Sequence, residues 1–114
     1  MFAVAATATA LFIFGRTGGN IIPETTTITH AGVVERDGRP TGRLLTPTTL
    51  RRLEALAQRE RFGTLPTSIL CTGVLPDIAS AFVVYRGHKV RAHGGCNVRF
   101  TTFYNALYKA SGVQ

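Results

Sequence analysis

The residues whose types and spacing could do chemistry gather between Leu70 and Cys96, in "LCTGVLPDIASAFVVYRGHKVRAHGGC". This stretch carries both cysteines of the chain, Cys71 and Cys96, together with His88, His93 and Asp77. Three chemistries are open to that set. Paired, the cysteines are a disulfide. With His88 and His93 they make a possible four-donor zinc set, although the C-x2-C pairs of ordinary structural zinc sites are missing. Left free, a thiol could be a nucleophile with His93 as its base and Asp77 orienting the ring. Hairpin geometry favours the first. Ile78 to Tyr85 and His88 to His93 read as two strands folded about Arg86-Gly87, which brings residues 71 and 96 to one end and leaves His88 at the opposite tip. A second cysteine in reach also works against a lasting free thiol. No metal and no cofactor is expected, and no catalytic activity.

Other candidates are weaker. "GRTGGN", Gly15 to Asn20, looks like a phosphate-cradling glycine loop, but it lacks the closing Lys-Ser/Thr, and Pro23 follows where a helix should start. It reads as a hairpin turn. The six acids, Glu24, Glu35, Asp37, Glu54, Glu60 and Asp77, are dispersed, with no pair spaced for general acid and base work. His30 lies in a strand-like run and reads as a sheet residue.

Charge points the same way. A net charge of +7 invites an anionic partner, yet the thirteen basic residues are scattered from Arg16 to Lys109, with only Arg51 and Arg52 adjacent. Such scatter reads as a solvated basic surface and argues against nucleic acid as the partner. A basic polyanion binder, for nucleic acid or an envelope polymer, stays as an alternative.

With 114 residues, 45% hydrophobic and 17% charged, the chain is sized and composed for one globular domain. Its first ten residues, "MFAVAATATA", are small and apolar and end in the small-x-small pattern of a signal-peptidase site. Residues 1–10 are therefore expected to be the remnant of a signal peptide and 11–114 the domain; a buried strand from Ala3 to Phe14 is the competing reading. Nothing reaches the roughly 18 apolar residues of a membrane span. Export to an extracellular or cell-envelope location would place the cysteines in an oxidising setting.

The elements that must position these groups follow from pattern. Ala10 to Arg16 is an apolar strand, and "TTTITHAGVVER" a second one, bent at Ala31-Gly32. Asp37 to Arg43 reads as a loop. Thr46-Pro47 caps a helix with Leu50, Leu53, Leu56 and Ala57 on one stripe, closed by Gly63 and Pro66. In the Arg86-Gly87 hairpin, a three-residue connection would set Phe82 and Val84 against Ala92 and Val90, and this register is expected over the two-residue one that sets Phe82 against Arg91. Asn97 caps a last helix with Phe100, Phe103, Tyr104, Leu107 and Ala110 on one stripe and Gly112 at its end. The fold class expected is α+β, in the order β-β-α-β-β-α: a four-stranded antiparallel sheet with two helices packed on one face and one disulfide.

Two short motifs carry a resemblance. Thr17-Gly18-Gly19 after the first strand, and Phe62, Leu65 and Pro66 in "RFGTLP" after the first helix, resemble the emfourin family, small bacterial proteins that include an inhibitor of a thermolysin-like metalloprotease. From about Leu11 the order of elements is similar as well. "GRTGGN" and "LPD" also resemble small exported actinobacterial proteins with paired cysteines. The resemblance implies a secreted protein-binding domain whose partner is a protease or another extracellular protein. A structural or cell-surface interaction module is the alternative. Two loops could make the contact: Thr72, Gly73, Val74, Leu75, Pro76 and Asp77, stiffened by proline, and the glycine turn Arg16, Thr17, Gly18, Gly19 and Asn20.

Overall fold

The computed structural model describes residues 9–112. The chain is α+β with two helices and a disulfide, but its sheet differs from the expected one. Seven strands are present: β1 Ala10–Thr17, β2 Glu24–Thr29, β3 Val33–Arg36, β4 Arg39–Leu44, β5 Ser68–Leu70, β6 Ser80–Tyr85 and β7 His88–His93. They form one mixed sheet in the order β4-β3-β2-β1-β6-β7-β5, antiparallel throughout except for the parallel pair β5–β7. The expected four-stranded antiparallel sheet is thus corrected to seven mixed strands.

The added strands have local causes. The expected long second strand is two, β2 and β3, broken where Gly32 takes φ +90° with its Cα pressed against the Leu45 carbonyl, a place that only glycine fits. Asp37-Gly38, read as part of a loop, is a two-residue turn with φ of 51° and 83°. Both positive values define the mirror-image turn that matches strand twist, so the chain returns as β4. The short β5 follows Pro66 and reaches the outer edge of β7 through Arg91 N–H donating to the Thr67 carbonyl and Cys71 N–H to that of His93.

Hairpin β6–β7 also corrects the expected register. Arg86 and Gly87, at φ 52° and 75°, make a two-residue turn of the same mirror-image kind, and Phe82 pairs with Arg91. Val83 and Tyr85 therefore face the helices with Val90. Phe82 turns to the other side of the sheet, where it is buried with the Lys89 ammonium 5.3 Å from its ring centre.

Helix α1, Pro47–Arg59, and α2, Val98–Ser111, lie on the same face. The capping expectations hold: the Thr46 side chain accepts from Thr49 N–H, Asn97 from Phe100 N–H, and Gly112 ends α2 in the left-handed region. Helix α1 stops before Gly63, with Arg61 left-handed at φ 53°, and Gly63 lies in a 3-10 turn, Phe62–Thr64. Between sheet and helices lies an aromatic core of Phe12, Phe14, Phe62, Tyr85, Phe100 and Phe103 with Ile28, Val83, Val90 and Leu107. Phe12 and Tyr85 stack at 5.1 Å, and Phe103 meets Phe12 edge-on at 5.7 Å.

Several scattered arginines are part of this architecture. Arg99 of α2 donates to the Glu60 and Arg61 carbonyls, both at 2.7 Å, satisfying the end of α1. Arg43 does the same for α2 through the Ala110 carbonyl at 2.8 Å. Glu24 takes Arg16 on one oxygen and Arg36 on the other. Four of the thirteen basic residues are thereby tied into the architecture.

Of the expected leader remnant, residues 1–10, all but Thr9 and Ala10 lie outside the described residues. The Thr9 carbonyl accepts from His30 N–H, and Ala10 pairs with Thr29 in the sheet.

Candidate functional site

Strand direction decides which loops meet. β1 runs towards the end of the sheet where β6 begins, since Thr17 pairs with Ser80. β7 and β5 finish at that same end, since Leu70 pairs with His93. The connections 18–23, 71–79 and 94–97 therefore share one rim, which also holds the start of α2.

At this rim Cys71 and Cys96 are joined, with 5.8 Å between their Cα atoms. The disulfide expectation holds, and the thiol and zinc readings fall with it. His88 sits at the far end of the hairpin, bonded through Nε2 to the Leu65 carbonyl. Among the described residues no three of His, Cys, Asp and Glu gather as a metal site.

The structure brings the two candidate loops together. Asn20 N–H donates to the Asp77 carbonyl at 3.2 Å. Gly19, at φ +61°, lies so close that a Cβ would stand 2.5 Å from Asp77 O and 2.7 Å from Ala79 N. Leu75-Pro76-Asp77-Ile78 is a turn closed by Ile78 N–H to the Leu75 carbonyl at 3.1 Å, with proline at its second position, where its fixed φ belongs. The Leu75 carbonyl also accepts from His93 Nε2 at 3.0 Å. A carbonyl can only accept, so a neutral His93 carries its proton on Nε2 and leaves Nδ1 to accept the Ser80 hydroxyl at 3.1 Å. The loop is thus tied to the sheet by a histidine, to α2 by the disulfide, and to the glycine turn by its backbone. Of the candidate residues, Arg16 stands apart, since its guanidinium is turned to Glu24 on the helix face.

The rim is also where aliphatic surface is left uncovered. Ile22, Leu70, Leu75, Ile78 and Val98 are between 49% and 87% exposed, and all lie on or beside these connections; among the described residues Leu44 is the other large apolar residue so exposed. A shallow groove of about 210 Å³ runs between Ile78, Ala79, Gly94 and Gly95 on one side and Phe100 and Tyr104 on the other. Gly94 closes the floor, its Cα pressed against Val74 and Cys71. Sequence reasoning missed Ser80, Ile22 and Val98. For Ile22 the signal was present, an apolar residue directly before Pro23 in a turn.

Burial shifts the ionisation of the core tyrosines. Burial, helped by the hydrogen bond it donates to Glu54 at 2.8 Å, pushes the Tyr85 phenol up to about 12. Burial likewise raises Tyr104 and Tyr108. Glu24, through its hydrogen bond and its charge, raises Arg16.

No described helix is long and apolar enough to cross a membrane. No family model, curated protein or solved structure matches the chain.

Proposed function

We propose that this chain is a small exported domain without catalytic activity that works by binding another protein through its loop rim, with an extracellular metalloprotease as the leading partner. The observation that carries the reading is the convergence of the Thr72–Asp77 and Arg16–Asn20 connections into one tied surface. A loop already held by a disulfide, a histidine and a backbone bond loses little freedom on docking, so more of its contact energy appears as affinity. Leu75, exposed at the start of a proline turn, is a suitable anchor, and Pro76 hinders cleavage of the bond after it. The disulfide fits the oxidising setting that export implies.

Titrating a thermolysin-like protease with the chain tests this. Activity should fall stoichiometrically, and Leu75→Ala should weaken inhibition by roughly tenfold or more, the burial of one leucine side chain. Full protease activity at excess chain rejects the protease. An affinity for polyanions that collapses with added salt would instead support the electrostatic alternative.

A further inference from the structure

On the face of the sheet away from the helices, beside the rim, lies a cavity of about 240 Å³ lined by Ser68, Leu70, Ser80, Arg91 and His93. We infer that this cavity binds a carboxylate, with the Arg91 guanidinium as its principal donor. The inference rests on the protein-binding reading only for the source of that carboxylate.

The Arg91 guanidinium makes no ion pair or side-chain hydrogen bond among the described residues, whereas those of Arg16, Arg36, Arg43, Arg86 and Arg99 are each engaged. Its Nη2 lies near Gly18, 3.7 Å from where a Cβ would stand, so the cation borders the glycine turn of the rim. The Ser68 hydroxyl, one strand over and paired in register with Arg91, is also without a partner there. Ser80 is committed to His93, and His93 to Leu75, which fixes the far wall. Leu70 supplies an aliphatic side for the stem of an acid.

This donor set selects the class of anion. A guanidinium offers two parallel N–H groups that match a carboxylate fork. Arg91 is the only lysine or arginine among the residues lining the cavity, so a monoanion matches its charge, whereas a phosphate dianion carries one charge more. The space far exceeds the roughly 30 Å³ share of one water molecule, so an acid group and its first carbons fit. On a domain of net charge +7, an acidic side chain of the partner is the source nearest to hand, and a free small acid is the other.

Nuclear magnetic resonance titration of the full chain at constant ionic strength decides it, following the backbone amides of Ser68, Leu70 and Ser80 in every variant and the side-chain Nε–H wherever Arg91 is kept. The probes are acetate, glutamate capped at both ends, and inorganic phosphate. A saturable shift is expected with the two carboxylates. In Arg91→Gln the binding should weaken roughly tenfold or more, the loss of a charge-assisted hydrogen-bond pair. Lys89→Gln removes the same charge two residues away and should change it by less than about twofold, since exposed charges are screened. Capped glutamate binding more tightly than acetate assigns the site to a partner's side chain; equal binding assigns it to a free acid. Shifts that never saturate, equal losses in both variants, or phosphate binding as well as the carboxylates would each overturn the inference. No protease enters this titration, so its result and that of the inhibition assay stand or fall separately.

Discussion

Reducing the Cys71–Cys96 bond should cost the domain a large part of its stability, and the size of the effect follows from topology. The bridge closes a loop of 25 positions containing the turn 75–78 and the whole β6–β7 hairpin. In the chain-entropy treatment, releasing a loop of that length returns about 3.5 kcal/mol of freedom to the unfolded state. Against a total of roughly 5–15 kcal/mol for a domain of ordinary stability, that is between a quarter and two thirds. At about 4 °C per kcal/mol for this chain length, Tm should fall by roughly 14 °C. Differential scanning calorimetry with and without reductant measures it, and a Cys71→Ala/Cys96→Ala variant serves as the control for reductant effects. A drop of under about 3 °C would refute the reasoning, because the unfolded chain would then be as free with the bond as without it.

The other predictions are shorter. Gly19→Ala forces a Cβ against the Asp77 and Ala79 backbone, whereas a Cβ at Gly18, also at positive φ, meets only the Arg91 side chain at an ordinary 3.7 Å. Gly18→Ala should lose about 1–2 kcal/mol in denaturant unfolding, Gly19→Ala should lose more because backbone must also shift, and only Gly19→Ala should also weaken protease inhibition. Arg61→Gly should stabilise the fold by about 1 kcal/mol, since residue 61 is left-handed and contributes its carbonyl, not its side chain, to Arg99 and Thr64. Alkaline unfolding should track the tyrosines. Because the Tyr85 phenol is raised to about 12, the stability it adds is full below the ordinary value near 10 and is lost as pH climbs through about 12. Ultraviolet titration should accordingly show no tyrosinate step near pH 10 while the fold persists; a full step there would contradict the burial of these rings.

Much of the framework was legible from sequence where one local signal dominated. Thr46-Pro47 and Asn97 mark their helices because the cap side chain and the backbone N–H that donates to it lie only three residues apart. The cysteines could be paired from the hairpin alone. The sheet was misread where the deciding facts are backbone twist and tertiary pairing. Asp37-Gly38 and Arg86-Gly87 are both two-residue mirror-image turns. One was taken for a loop because glycine and proline punctuate "DGRPTGR", yet the segment pairs as an edge strand whose side chains are all exposed. The other was displaced by burial logic that assumed a single covered face. Phe82 is buried on the opposite face through Lys89 and Gly15, and no periodicity in six residues announces that. The parallel β5 is three residues long and owes its existence to the outer edge of β7, so nothing within it signals a strand. Ser80 escaped notice for the same reason, since its partner His93 is thirteen positions away and meets it only through strand pairing.

The two ends of the sheet solve opposite problems. At the Arg86-Gly87 end, Phe62, Tyr85 and Phe103 interlock edge to face and the chain is held by buried aromatic area. At the rim, several aliphatic side chains stay in water, so burial cannot supply the order there. The rim is held instead by links that consume no apolar side chain: a disulfide, a histidine shared between Ser80 and a carbonyl, a proline turn, and a glycine packed against a neighbouring backbone. Placing these four links where apolar surface is left uncovered keeps that surface fixed in shape while it stays in water, which lowers the freedom any partner docking there would have to remove.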